Sequence, residues 1–375
     1  MANLGDAQAE ALVTVMPGAG QDPVVTTLVL PARSQTRVRV GDVLAVPDPG
    51  VVVEVFGGRP VVEHLLRRGD DVALGPCARE PSTRRLFAAG TTVKGAELWL
   101  ELFNPFEEDA IVDATFFTEG GFQAPEALQG LGVPRRSKVV VPVHDHVRRE
   151  AHVATEVRTR VGRVVAEQTI AFDGTDGRRG LGLSVGAGAP GESWTFPYGR
   201  LVEGAGELVA VVNPDLGTTE VDVVAHLEGD AVVEPQTLAV PGRSVAVVNL
   251  AEWLPVETLH AVEVQVTGRQ PVMAEGLWSY SASSGEAGVA LAGERSRRPC
   301  GGPSRRAGSP RAPPTGSPCT TPPGPRPGSP SGRWRTVPRR SSSRRPSRRR
   351  PRSSSTCASS RSPPEPCSCS RPASP

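Results

Sequence analysis

The sequence predicts an all-β protein: tandem immunoglobulin-like β-sandwich repeats followed by a disordered Arg/Ser/Pro-rich tail. Short β-branched and aromatic runs alternate with clusters of Gly, Pro, Asn and Asp about every ten residues, the spacing of strands and turns in a sandwich. No helical periodicity lasts beyond about two turns. A set of landmarks also recurs three times in the same order.

Four landmarks fix the repeat. Asn104-Pro105 is matched by Asn213-Pro214 and, loosely, by Met16-Pro17. A Pro-x-Arg-Ser turn occurs at Pro31–Ser34, Pro134–Ser137 and Pro241–Ser244. Gly-Arg, an apolar run and a glutamate follow as Gly58 to Glu63, Gly162 to Glu167 and Gly268 to Glu275. Each unit closes on VALG (Val72–Gly75), LSVG (Leu183–Gly186) or VALAG (Val289–Gly293). These marks divide the chain into repeat one at 1–78, repeat two at 83–187, repeat three at 191–293 and a tail at 295–375. Each of the two later repeats has about the hundred residues that two packed sheets need.

Repeat one is N-terminally truncated, because no aromatic strand like Leu86-Phe87 or Trp194–Phe196 precedes Leu12–Val15. Its expected strands are Val24–Leu30, Thr36–Val40, Val51–Phe56 and Val61–Leu66. Repeat two reads as strands at 87–89, 98–103, 110–118, 127–133, 137–143, 153–161 and 164–172. In Leu98–Phe103 the leucines fall at every second position, so one face is strongly apolar. Ala110–Thr118 turns Val112, Ala114 and Phe116 to one side. Asn104-Pro105 ends the strand before it, since proline cannot donate to a ladder. Leu100, Phe116 and Val140 are expected in the core, each stabilising it by roughly 1.5–3 kcal/mol. The helix-like piece His146–Ala151 reads as a loop. Repeat three follows the strand sequence of repeat two from about Trp194.

The net charge of +2 conceals an uneven distribution. Residues 295–375 hold 19 Arg and the single acid Glu365, whereas residues 1–294 hold 23 basic and 39 acidic side chains. The tail has no Leu, Ile, Phe, Tyr or Met and cannot bury a core. Its abrupt start at a repeat boundary is what out-of-frame translation of GC-rich DNA would produce. The rival reading is a genuine arginine-serine tail that binds nucleic acid by neutralising phosphate. Among the six cysteines only Cys77 lies in the repeats, so each sandwich must stand on its apolar core. No basic and apolar leader opens the sequence and no apolar run is long enough to span a bilayer. As written, a cytoplasmic location stays open.

The recurring Arg33, Arg136 and Arg243, and the recurring Glu63, Glu167 and Glu275, read as structural positions of the module. Each glutamate is expected to be paired with an arginine on a strand face or solvated. His144, Asp145, His146 and His152 contain acceptable metal ligands. An HxH pair alone is a weak signal, and the reading is a loop without metal. Gly174–Gly191 lacks the Gly-Lys-Ser/Thr of a phosphate loop and reads as a repeated β-loop. Ser193 and Ser284 lack a nucleophile-elbow context and a His/Asp partner set. No catalytic group and no cofactor is expected.

Taken together, LFNP, the VPRRS turn, GRVVAEQ, the glycine-rich closing loop and the WTFP strand resemble an uncharacterised actinobacterial family of secreted or membrane-anchored proteins. That family is a domain of unknown function built of repeated β-sandwich modules behind an N-terminal signal or membrane helix. The resemblance covers roughly residues 8–293. It implies an extracellular or cell-envelope location and makes Cys77 half of a disulfide whose partner lies upstream. The function expected is a non-enzymatic scaffold or adhesion-type protein whose partner is an unknown protein or cell-wall component. Tandem sandwiches present loops and sheet edges, which suit binding. The alternatives are nucleic-acid binding through the tail and a carbohydrate-binding accessory module using Trp194, Trp253, Trp278 and Tyr198.

Overall fold

The computed structural model describes residues 1–293 apart from 19, 230–231 and 282–286, and the expectations for the tail fall outside the described residues. The fold is β-rich, with antiparallel sheets throughout, and all three repeats lie in one compact unit.

Repeat one contains β1 (Ala2–Asn3), β2 (Ala9–Met16), β3 (Val24–Leu30), β4 (Ser34–Gln35), β5 (Gly50–Phe56), β6 (Pro60–Val61), β7 (Glu63–Arg68) and β8 (Asp71–Pro76). Repeat two contains β9 (Arg84–Phe87), β10 (Ala96–Asn104), β11 (Ala110–Thr118), β12 (Gly121–Gln123), β13 (Leu131–Val133), β14 (Ser137–Pro142), β15 (Val153–Val161), β16 (Val165–Asp173) and β17 (Arg179–Ser184). Repeat three contains β18 (Ser193–Leu201), β19 (Ala205–Asn213), β20 (Thr219–Leu227), β21 (Gln236–Val240), β22 (Ser244–Asn249), β23 (Thr258–Val266), β24 (Met273–Tyr280) and β25 (Gly288–Ala292).

Repeats two and three share one architecture. One sheet runs β14-β10-β16-β17 and its counterpart runs β22-β19-β24-β25. The facing sheets run β12-β11-β15-β9 and, in reverse, β18-β23-β20-β21. Strict alternation builds the core: in β11, Val112, Ala114 and Phe116 are fully buried while Ile111 faces outward. Leu100 is buried as expected, but Val140 is 36% exposed. Its neighbour Val141 takes the inward position, which places Val140 on the outer face opposite Glu101. The cores of repeats two and three merge into one apolar cluster, which includes Phe87, Phe116, Trp194 and Phe196.

A second correction concerns the register of repeat one. Asn104 donates through Nδ2 to Glu108 O and Val133 O and accepts the Phe106 N–H. Asn213 makes the same three bonds with Gly217, Val240 and Asp215, and Asn3 makes them with Ala7, Leu30 and Gly5. Asn3, not Met16-Pro17, is therefore the counterpart of Asn104. Among the described residues repeat one shows no strand equivalent to β9 or β18, and its β1 matches the last two residues of the nine-residue β10. With so short a central strand, β4 and β6 pair for two residues each. Thr36–Val40 accordingly does not form the expected strand, and a short helix occupies Val40–Val43.

Other expectations change locally. Residues 127–133 divide into a 3-10 turn at Glu126–Leu128 and β13. A one-turn helix occupies Val143–His146, so the helical piece precedes the segment read as a loop. The glycine-rich closing stretches contain true strands, β17 and β25. The closing strands of adjacent repeats lie against each other: a Cβ on Gly75 would fall 2.1 Å from Leu183 Cδ1. One on Gly180 would fall 3.0 Å from Val289 N. At Gly180 glycine lets the two backbones approach closely, and at Gly75 it makes room for the Leu183 side chain.

Candidate functional site

The recurring glutamates lie at equivalent points in each repeat, and two of them reach into the repeat before their own. Glu275 stands on β24 opposite Ala210 of β19, and Glu167 stands on β16 opposite Glu101 of β10. Both belong to the sheet that carries the closing strand, which is where successive repeats meet.

Glu275 is 0% exposed. Its Oε2 accepts the backbone N–H groups of Ala88 and Ala89 at 3.0 and 2.9 Å, and its Oε1 accepts the Ser184 hydroxyl. All three donors belong to repeat two. Burial pushes its pKa up to about 7 from 4.5, against the opposing pull of those donors. Ser184 is itself oriented by accepting the Gly186 N–H at 3.0 Å.

Glu167 meets a different partner. Its two oxygens lie 3.1 and 3.0 Å from Nε2 of His64, on β7 of repeat one. His64 Nδ1 lies 3.9 Å from Cys77 Sγ. The hydrogen bond to Cys77, then that to Glu167, raises the His64 pKa to about 10 despite partial burial. His64 stands toward Glu167 as the Ala88 and Ala89 N–H groups stand toward Glu275. Cys77 is a free thiol, and among the described residues it is the sole cysteine. Glu63, the third equivalent, is exposed on β7.

The arginines do not pair with these glutamates. Arg33, Arg136 and Arg243 hold the same left-handed backbone, with φ of 49°, 52° and 54°. Their N–H groups donate to Gly5 O, Phe106 O and Asp215 O, each two residues after the repeated asparagine. The side chain of Arg33 pairs with Asp6 and that of Arg136 with Glu107, in the asparagine loop of the same repeat. Arg243 lies 4.6 Å over the Phe122 ring of repeat two. The recurrence records a turn conformation; the side chain then binds an acid of its own loop in repeats one and two and a ring of the neighbouring repeat in repeat three.

The histidine group is dispersed. His144 Nδ1 lies 2.9 Å from Leu98 O, and its ring meets Trp99 edge-on at 4.9 Å. His152 lies 3.6 Å from Glu119, and burial lowers its pKa. Among the described residues no group of three His, Cys, Asp or Glu side chains could hold a metal ion.

Sequence reasoning missed one buried pair. His260 Nε2 lies 2.8 Å from Glu207 Oε2, with side-chain exposures of 1% and 0%. Glu207 Oε1 accepts the Arg200 N–H at 2.9 Å and the Tyr280 hydroxyl at 3.3 Å. Counted from the repeated asparagine, Glu207 takes the place of Leu98, and by strand register His260 takes that of Val153. Aligning the repeats exposes the substitution: polar residues at two positions that are apolar core in repeat two.

Residues 68–178 match the model of DUF5719, a family of unknown function. The match runs from the end of β7 to the start of the closing strand of repeat two. No curated protein matches the chain. Two solved structures are distantly similar. The Thermotoga maritima protein 1070 shares 13% identity at a TM-score of 0.26, over 28% of this chain and 96% of that one. Streptomyces avermitilis α-L-rhamnosidase in complex with L-rhamnose shares 11% identity at a TM-score of 0.15, over 78% of this chain and 37% of that one. At these scores neither likeness bears on function.

Proposed function

We propose that the chain is a non-enzymatic scaffold of the cell envelope that binds a cell-wall or protein component. The observation that carries this reading is the junction between repeats two and three. A continuous apolar core and the seated Glu275 carboxylate hold two sandwiches at a fixed spacing, as a presenting scaffold requires. The polar clusters serve the same end. Glu275, and the pair Glu207–His260, are enclosed within the fold and offer no approach to a substrate.

The carbohydrate reading is weaker because Trp194 and Trp278 are 1% and 7% exposed. Of the four aromatic residues it would use, Tyr198 alone is largely exposed, at 65%. The nucleic-acid reading rests on residues outside the described part of the chain.

Co-sedimentation of the full chain with isolated actinobacterial cell walls tests the proposal. Saturable sedimentation that survives 1 M salt is the expected result, since charge attraction between exposed groups is screened there. A chain that remains in the supernatant at every wall concentration overturns it.

A further inference from the structure

The three repeats serve as internal comparisons for one another, and one strand of repeat one departs from its counterparts. Aligned on the carbonyl that the repeated asparagine holds, Leu30 corresponds to Val133 and Val240. β3 therefore takes the place of β13 and the residues before it in repeat two, and of β21 in repeat three. In every repeat that place is a sheet edge among the described residues: β3 is outermost beside β2, β21 is outermost beside β20, and β13 pairs with β11 alone. The strands that open repeats two and three, β9 and β18, stand at the opposite end of their sheets, beside β15 and β23. The edge formed by β3 thus belongs to the architecture of the module.

Natural sheets protect an open edge by shortening it, breaking it, or placing proline or charge on it. The later repeats do so. At the places of Val24 and Val25, repeat three has Glu234 and Pro235, just before the five-residue β21. At the places of Val25 and Thr27, repeat two has Leu128, in a 3-10 turn, and Gly130, left-handed at φ of 70°. β3 instead runs as VVTTLVL, without charge, proline or glycine, and pairs with Ala9–Val15 in unbroken register. Val25 and Val29 are 53% and 55% exposed, and Thr27 between them is exposed as well.

The exposed residues also read the same in both directions. About Thr27, an antiparallel second β3 sets Val25 against Val29 and Thr27 against its own mate on the outer face. Pro23 and Pro31 flank the strand at equal distances from Thr27. This register therefore pairs the whole strand before a proline stops the ladder. It opposes no like charges, and threonine and β-branched pairs are favourable across antiparallel strands.

We propose that β3 is a self-association surface on which two copies of this chain pair antiparallel about Thr27, joining two three-stranded sheets into one. The two-fold axis at Thr27 closes the contact, so assembly stops at the dimer. This goes beyond the scaffold reading, and neither depends on the other. A dimer would carry two copies of any surface that binds the wall and gain avidity without a new contact.

Sedimentation equilibrium of the full chain under reducing conditions tests the proposal, with Thr27→Lys and Val25→Lys as variants shown by circular dichroism to be folded. A monomer–dimer equilibrium is expected, weakened roughly tenfold or more by either lysine, since charge on an edge strand opposes pairing. Under mild oxidation Thr27→Cys should form a disulfide with its own mate, because directly opposed Cα atoms lie about 4.5–5.5 Å apart. Val25→Cys should not, since it faces Val29 of the second copy; peptide mapping by mass separates these products from bonds of the native cysteines. A chain that stays monomeric up to about 1 mM overturns the proposal. So does a dimer that both lysine variants leave intact, or one that cross-links through Val25→Cys as readily as through Thr27→Cys. A monomer whose cell-wall sedimentation is lost in Thr27→Lys also overturns it, and would put a wall partner on the edge in place of a second copy.

Discussion

The carboxylate of Glu275 is held by the hydroxyl of Ser184, 91 residues earlier in the chain, in a site closed to water. Two backbone N–H groups of the same repeat complete the seat, so one side chain of repeat three satisfies three donors of repeat two. Its folded pKa of about 7 exceeds the ordinary 4.5, so the fold favours the protonated form. That contribution to stability is complete below pH 4.5 and is lost as pH rises through about 7. The melting temperature should therefore fall between pH 5 and 8, and Glu275→Gln should flatten that part of the profile. Calorimetry at unit pH steps reads the slope; identical slopes in the two proteins would refute the assignment.

His64 acts in a different window. Its folded pKa of about 10 lies above the ordinary 6.5, so its contribution is complete below pH 6.5 and disappears as pH rises through 10. Replacing it with the residue that repeat two carries at this point, as His64→Gln, should remove stability at pH 7 while changing little at pH 10.5. Chemical denaturation at those two pH values makes the comparison. An equal loss at both would assign His64 a packing role alone.

The repeated asparagine predicts a larger and pH-independent effect. Asn213 is 0% exposed and donates to two carbonyls while accepting one N–H. Asn213→Ala leaves those groups without a partner, at a cost of about 2–4 kcal/mol. Asn213→Asp should cost at least as much, because a carboxylate would face two carbonyl oxygens. Urea unfolding measures both variants, and an aspartate variant as stable as wild type would contradict the bonding pattern.

At the turn, conformation should outweigh charge. Arg136 holds φ of 52°, and its ion pair with Glu107 is exposed at 36% and 63%. Arg136→Gly should change stability by less than about 1 kcal/mol, since the lost surface pair is weak and the backbone is relieved. Arg136→Val should cost about 1–2 kcal/mol, because β-branching is poorly accommodated in the left-handed region. A valine variant more stable than the glycine one would show that the side chain, not the backbone, explains why arginine recurs.

Much of the strand plan is legible in the sequence. The ends of Ala110–Thr118 and Val153–Val161 follow directly from alternation and flanking turn residues. The turn arginines were visible as a recurrence, but their left-handed backbone was not, since arginine carries no preference for it. Asn3 is hard to place from sequence because Leu4, not proline, follows it, while Met16-Pro17 offers a chance match. The strands β17 and β25 were masked by glycine, whose presence there reflects close approach between repeats. The seat of Glu275 was not legible at all. Two of its three donors are backbone N–H groups, which every residue except proline possesses.

The pair Glu207–His260 allows the repeats to be tested against each other. Removing one member strands the other in a site with side-chain exposure of 1% or less, so Glu207→Leu or His260→Val alone should cost about 3–5 kcal/mol. The double replacement installs the leucine and valine that repeat two uses at these positions, where the side chains of Leu98 and Val153 are fully buried. It should recover most of the loss and reach or exceed wild-type stability, because an apolar pair escapes the desolvation that the buried polar pair incurs. A double-mutant cycle by denaturant unfolding gives the coupling directly. If the double variant is no more stable than either single one, Tyr280 and the Arg200 N–H, left without Glu207, dominate the site. The polar cluster would then be a requirement of repeat three rather than an exchangeable core pair.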